Sequence, residues 1–452
     1  MMHRARSHPL GLRMQPLAAC LAAIWAASLS APAFSNVDPT PRAPASIVVT
    51  NCDDSGPGSL RDSVEAAASG DTIDMTQLTC SRISTTTGAI IVTQDQLALI
   101  GPGSNALTID GIDNGGYAVL FHVGDSSLSV QDLTIANGNK YRSTAAALGG
   151  CIYSTGNVIV EYANIQGCTT RSTGVDPSLG GAIFSYGQTY LKHARISGNT
   201  TFATGGYSEG AGVYSKGGFI AKYSTVENNA SFTQVPPSFG GGVLARGTVI
   251  VSESTISGNS APNMGGMAII DNNHYPAMIT QSTISGNTAD YIAGIYSRVP
   301  LKIYNSTIAF NNATHSTDPL GTVIAGGLQI NDATTLYSTI ISNNEVGAGL
   351  NDLGGTATAT VGGSNNLMMF TTIAAPSDTI TADPLLGPLQ DNGGNSKTHR
   401  PANNSFAIDA GNNVLALSVD QRGPGFVRTA GFATDIGAFE TNSDEIFANG
   451  FN

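Results

Sequence analysis

Three observations in the sequence predict an all-β fold, a parallel β-helix in which each repeat forms one coil. Gly supplies 54 of the 452 residues and charged residues only 12%, about half of their usual share of roughly 25%. Ser, Thr, Asn and β-branched residues fill the gap, which suits stacked strands joined by tight turns. One phrase recurs along the chain: DLTIANGN from Asp132, ANIQGCTT from Ala163, ARISGNTT from Ala194, STVENNAS from Ser224, STISGNSA from Ser254, STISGNTA from Ser282, STIAFNNA from Ser306 and STIISNNE from Ser338. Apolar residues alternate within the short runs, and no stretch in the repeats carries a helical stripe.

The central apolar residue of the phrase is Ile135, Ile165, Ile196, Val226, Ile256, Ile284, Ile308 and Ile340, so the steps range from 24 to 32 residues. Variable steps around a fixed phrase mean fixed strands with loops of changing length. A second phrase lies between the copies, in GGCIYS at Gly149, GGAIFS at Gly180, GAGVYS at Gly210, GGVLAR at Gly241, GGMAII at Gly265, AGIYSR at Ala293 and GGLQI at Gly326. Several short strands per repeat at this period are the signature of a β-solenoid. Coils about 4.8 Å apart bring equivalent residues into ladders. Three residues after the central apolar position stand Asn199, Asn229, Asn259, Asn287, Asn311 and Asn343. Asn tolerates a left-handed turn, and stacked amides bond along a ladder, so this series is read as structural.

The remaining segments follow in order. Residues 1–33 read as a signal peptide: Arg4, Arg6 and Arg13, then an apolar run from Leu17 to Leu29, then Ala31-Pro32-Ala33 as a small-x-small cleavage site. LAAC at Leu17–Cys20 resembles a lipobox, but the apolar run continues beyond Cys20, which favours soluble export. Residues 34–50 are a Pro-containing extended linker. Residues 51–82 form an N-terminal cap, with Ser59 as N-cap, Asp62 three residues on, and an apolar stripe of Leu60, Val64 and Ala67 on a short helix that covers the open end of the coil. Repeats occupy 83–350, a C-terminal closing module 351–440, and a tail 441–452. Cys52, Cys80, Cys151 and Cys168 remain after removal of the signal; an even count in an exported chain points to two disulfides. Of the three pairings, the most local is expected, Cys52 with Cys80 and Cys151 with Cys168.

Removing 1–33 takes away three Arg and no acid, leaving 17 basic against 32 acidic residues, a net charge of −15. Such a field repels nucleic acid and acidic membrane surfaces. No later segment is apolar enough for a transmembrane helix, and the chain is expected to act as a monomer.

DSGPGSLRDSVEAAASGDTI, from Asp54, resembles the N-terminal motif of bacterial CSLREA-type proteins. The Gly-Gly and S-T-I-S-G-N units look like the pectin-lyase-like right-handed β-helix of polymorphic outer-membrane-type proteins. DPLLGPLQDNGG from Asp383, with AIDAG, DQRG and DIGAFE further on, is similar to a choice-of-anchor Q domain. The resemblance implies a right-handed helix and an exported, bacterial surface or secreted setting. It implies no settled activity. No hydrophobic anchor follows Glu440, a departure from the anchor pattern.

Polysaccharide-cleaving enzymes share this kind of fold, so the residues decide. The N-T-D, D-D, G-H-G and R-I-K set of the polygalacturonase type is missing from the repeats, and the D-D at Asp53-Asp54 lies in the cap. The acids Asp176, Asp271, Asp290, Asp318 and Asp332 occupy no common repeat position, so no two-carboxylate site follows from the spacing. Asp383, Asp391, Asp409, Asp420 and Asp435 sit beside Gly, Asn or Pro or in turn-rich sequence. They are read as turn residues, and calcium is the ion they would suit; no other metal or cofactor is expected. One constellation stands out. Ten residues before the central apolar position come Tyr186, Lys216, Arg246, His274 and Arg298, and four before it Lys192 and Lys222. Stacked coils would gather these into a mainly cationic strip suited to an acidic glycan. The expected role is therefore a non-catalytic adhesin or glycan-binding scaffold, with polysaccharide or a cell-surface glycan as partner. A polysaccharide lyase or hydrolase with a non-standard site is the alternative, and a structural exoprotein the third.

Overall fold

A computed structural model describes residues 43–112, 114–235, 238–270, 275–317 and 323–442. The signal segment, linker residues 34–42, Asp271, His274, Asp318 and tail residues 443–452 lie outside the described residues. Within them the chain winds as a parallel β-solenoid. Three long sheets of twelve, eleven and ten strands run along its axis, with a nine-stranded and a four-stranded sheet built out from one corner. Among the described strands of these sheets every pairing is parallel except that of Glu345–Val346 with Gly349–Leu350, and isolated antiparallel bridges such as Gln390 with Thr398 and Val419 with Val427 lie outside them. The ladders reach beyond the repeat phrase at both ends: Ser46–Val48 joins the twelve-stranded sheet within the stretch read as linker, and Val361–Ser364 and Leu367–Met368 extend two sheets into the stretch read as closing module.

Each coil buries alternate residues of its three main strands, because successive side chains of a strand point to opposite faces. In one coil these are Val243 and Ala245, then Val249 and Val251, then Ile256, all 1% exposed or less. The Ile ladder runs Ile109, Ile135, Ile165, Ile196, Val226, Ile256, Ile284 and Ile308. Its next member is Ile341, not Ile340. Ser338 takes the left-handed corner, φ 49°, that Asn305 and Gln281 take one and two coils earlier, so the phrase is displaced by one residue there. Ile340 consequently faces outward, against Leu367, Ala407 and Ile436.

The Asn ladder shows the same slip. Cys168 N donates to Asn199 Oδ1, and the chain of bonds continues through Asn229, Asn259, Asn287 and Asn311 to Asn344, not Asn343. Each Asn accepts the backbone N–H and, from Asn199 on, the side-chain amide of its predecessor: Asn229 donates through N at 3.0 Å and Nδ2 at 2.9 Å to Asn259 Oδ1. Asp352 ends the ladder, accepting from both amides of Asn344. The left-handed residue is not the ladder Asn but the one before it, Gly258 (φ 63°) before Asn259 and Asn343 (φ 58°) before Asn344. The amides lie under the Gly-Gly corner. A Cβ on Gly242 would come within 2.6 Å of Gly266 O and 2.9 Å of the Asn259 amide, so only Gly fits there.

Serine makes a parallel ladder: Ser224 N donates to Ser254 Oγ, Ser254 N to Ser282 Oγ, and Ser282 N to Ser306 Oγ. Two positions of S-T-I-S-G-N then remain, Thr and the second Ser, and both point outward to the returning C-terminal segment. Thr255 Oγ1 donates to Lys397 O at 2.7 Å, Thr283 Oγ1 to Gln421 Oε1 at 2.6 Å, and Ala438 N donates to Thr307 Oγ1 at 3.1 Å. Ser285 Oγ meets His399 Nε2 at 2.7 Å. Residues 383–442 are thus laid along the outer face of the eleven-stranded sheet. The segment carries its own buried ionic cluster: Arg422 binds Asp420 and Glu440 O, and the fully buried Arg428 lies 3.5 Å from Glu440. The residues of DQRG and DIGAFE therefore serve this fold locally.

At the other end, Ser59 Oγ accepts from Asp62 N and opens the helix Leu60–Ala66, whose Leu60 and Val64 are buried. Arg61 ties the helix to Ala89 O and Asp54, each at 2.7 Å. The disulfides are Cys52–Cys80 and Cys151–Cys168, the local pairing. Cys168 occupies the ladder position that Asn fills in later coils, so this bridge does the amide's work at the Gly-Gly corner of its coil.

Candidate functional site

The outward face of the ten-stranded sheet is aromatic where the adjoining small sheet shelters it. Phe121, Tyr153, Phe184 and Tyr214 stand on successive coils, opposite in face to core residues such as Ile152, Ile183 and Val213. Their rings stack, Phe121 on Tyr153 at 4.5 Å, Tyr153 on Phe184 at 5.7 Å, and Phe184 on Tyr214 at 5.2 Å. The two-residue strands of the four-stranded sheet precede these strands across the Gly-Gly corner. Their second residues form the register Leu148, Leu179, Glu209, Phe239. Leu179 and Phe239 pack with the aromatic stack. Glu209 is a lone carboxylate in an apolar row, 5% exposed.

Tyr186, Lys216 and Arg246 come directly after the aromatic strands and stack coil upon coil. Lys216 N donates to Ser185 O and Arg246 N to Ser215 O. Lys216 Nζ lies 4.1 Å from the centre of the Tyr186 ring and 5.6 Å from that of Phe184. Arg246 bonds Tyr214 and faces Glu209. The next member is Ile270, whose N donates to Ala245 O, followed by Arg298. The position assigned to His274 is therefore filled by Ile270, because the loop after that strand is longer, and Arg298 is separated from Arg246 by an apolar residue.

Lys192 and Lys222 do not join this row. They face each other at the far ends of Gln188–Lys192 and Gly218–Lys222, about 20 Å along the chain from Tyr186 and Lys216. There they flank a second stack, Tyr162, His193 and Tyr223, with ring centres 4.6 and 4.9 Å apart. Lys192 is spent on Glu161 at 3.5 Å, and Lys222 lies over Tyr223. The expected single strip is two rows on opposite edges of one sheet.

Burial, opposed by Arg246, pushes the Glu209 carboxyl from 4.5 up to about 7. At the start of the aromatic stack, Lys140 lies over Phe121 at 5.2 Å; burial and the neighbouring Arg142 bring it down from 10.5 to about 8. Sequence reasoning missed both groups. The signal that could have found Glu209 is its alignment with Leu148, Leu179 and Phe239, all apolar. Among the described residues, no group of three His, Cys, Asp or Glu is placed to hold a metal. Asp383 and Asp391 accept from the N–H two residues on, and Asp435 accepts Asp409 N and Thr441 N. No helix among the described residues is long and apolar enough to cross a membrane.

No family model matches the chain, and no curated protein does. Among solved structures the fold is similar to that described as the crystal structure of pectate lyase Pel9A, at 13% identity and a TM-score of 0.47 over 88% of this chain and 98% of that one. An identity that low transfers no residue roles.

Proposed function

We propose that the protein is exported and binds acidic polysaccharide along the Tyr186–Lys216–Arg246 row, as an adhesin or glycan-binding scaffold. The observation that supports this best is two cations on consecutive coils, about 4.8 Å apart, held over an aromatic floor on a chain whose net charge is −12. Tyr186, 44% exposed, offers a ring edge beside them for a sugar face. The two disulfides suit an oxidising compartment. The motifs that resemble CSLREA-type and choice-of-anchor Q proteins support the same exported setting. The test is a binding panel of polygalacturonate, alginate, hyaluronan and a neutral glucan. Binding to at least one polyanion and none to the glucan supports the reading, whereas equal binding to all, or to none, overturns it.

A polysaccharide lyase is a second reading, favoured by Glu209 and Lys140, two groups drawn toward neutrality along one aromatic stack. New unsaturated, ultraviolet-absorbing ends released from the uronate polyanions, and their loss in Lys140→Met, would establish it, whereas new reducing ends without unsaturation would point to hydrolysis instead.

A further inference from the structure

Where residues 386–399 cross the corner that follows the eleven-stranded sheet, they leave a cleft of about 560 Å³. The row of Lys216 and Arg246 takes no part in it. The floor is four consecutive coils. Glu227, Ser257, Ser285 and Ala309 form one ladder, and the corner residues Asn228, Gly258, Gly286 and Phe310 follow them. Three coil steps make it about 14 Å long.

The corner is left-handed in each coil from Asn137 to Asn343, with φ of 57° at Asn137, 54° at Asn228, 65° at Gly286 and 58° at Asn343. Gly and Asn adopt this conformation readily, and a bulky residue does not. Phe310 adopts it nonetheless, at φ 56°. Burial does not explain the choice, since the side chain is 39% exposed and its one ring contact is a tilted one with His399 at 5.0 Å. Strain retained at an exposed aromatic on a cleft is the pattern of a ligand platform.

The polar groups suit an uncharged, hydroxyl-rich ligand. Glu227 Oε1 takes two bonds from Arg195, both 2.7 Å, while Oε2 has Lys397 Nζ at 3.8 Å. An acceptor oxygen beside an ammonium donor matches a pair of sugar hydroxyls. His399 meets Gly387 O through Nδ1 at 2.6 Å and Ser285 Oγ through Nε2; burial lowers its pKa. A Cβ on Gly286 would meet nothing within 4 Å, so the floor is open there. The volume lies within the roughly 300–1,000 Å³ of small-molecule sites.

We propose that this cleft binds a neutral sugar unit, stacked on Phe310 and held through its hydroxyls by Glu227 and Lys397. The proposal is independent of the acidic-polysaccharide reading.

The test is saturation-transfer NMR on the full chain with maltose, cellobiose, xylobiose and β-1,4-galactobiose, followed by titration of any that respond. At least one should receive saturation from the wild-type protein. Phe310→Asn should weaken binding at least about tenfold while its melting temperature stays the same or rises, because Asn is at ease in the corner. Gly286→Asn should weaken it similarly by filling the floor, and it should fold, since Asn228 and Asn343 occupy the same position. Lys216→Ala/Arg246→Ala should bind as the wild type does. No transfer to any of the four sugars, or full affinity in Phe310→Asn, overturns the proposal.

Discussion

Replacing Glu209 with Gln should stabilise the protein in alkali and leave it unchanged in acid. The carboxyl sits in a row otherwise built from Leu148, Leu179 and Phe239, and burial raises it from 4.5 to about 7. An acid raised in the folded state contributes no penalty below its unfolded value; the penalty grows as pH rises from there to the folded value and is complete above it. The raise is about 2.5 units, and each is worth about 1.36 kcal/mol, so the wild type gives up about 3 kcal/mol at pH 9 that it retains at pH 4. Gln is neutral throughout and keeps the shape. Urea unfolding of both proteins at pH 4 and pH 9 measures the effect as a difference of differences, in which packing changes and every other titrating group cancel. The stability gap between variant and wild type should shift by about 3 kcal/mol in favour of Gln between the two pH values. A gap independent of pH, or one that moves toward the wild type, would show that Glu209 is not buried as described.

Asn259→Ala strips the partner from Asn229 N and Nδ2 and from Val226 O, and leaving two or three buried groups unpaired should cost about 3–5 kcal/mol in unfolding experiments. Thr255→Val/Thr283→Val removes two outward hydroxyls that hold the C-terminal segment; limited proteolysis should then cut within 383–442 while the coils survive. Polyanion affinity should rise as pH falls from 8 to 6, because Glu209 takes up a proton below about 7 and ceases to oppose Arg246. Glu209→Gln should flatten that dependence in a titration at constant salt.

The sequence carries the coil because Ile, Ser and Asn of the repeated phrase each have one direction to face, and mutual stacking fixes it. The outward Thr and Ser are a different matter. Their partners Lys397, His399 and Gln421 lie more than 100 residues away, and no local pattern points to them. Ser-Thr-Ile-Ile-Ser-Asn-Asn offers two Ile and two Asn, and the extra corner residue Ser338 selects the second of each, a choice made by contacts with neighbouring coils. Counting back from Ile finds Tyr186, Lys216 and Arg246 because the intervening strand has constant length. A count of four reaches Lys192 and Lys222, and joining them to that row fails, since distance along the chain does not say on which edge of the sheet a residue lies. Glu209 stays hidden because a two-residue strand has too little alternation to show which way it faces.

The decisive measurement compares two double variants by affinity electrophoresis through gels containing the polyanion that binds best. Lys216→Ala/Arg246→Ala should lose at least about tenfold in affinity, about 1.4 kcal/mol, while Lys192→Ala/Lys222→Ala, which removes the same charge from the other edge, should migrate like the wild type. Equal losses in the two variants would reduce the interaction to net charge, and undiminished binding in the first would show that the row beside Tyr186 is not the glycan site.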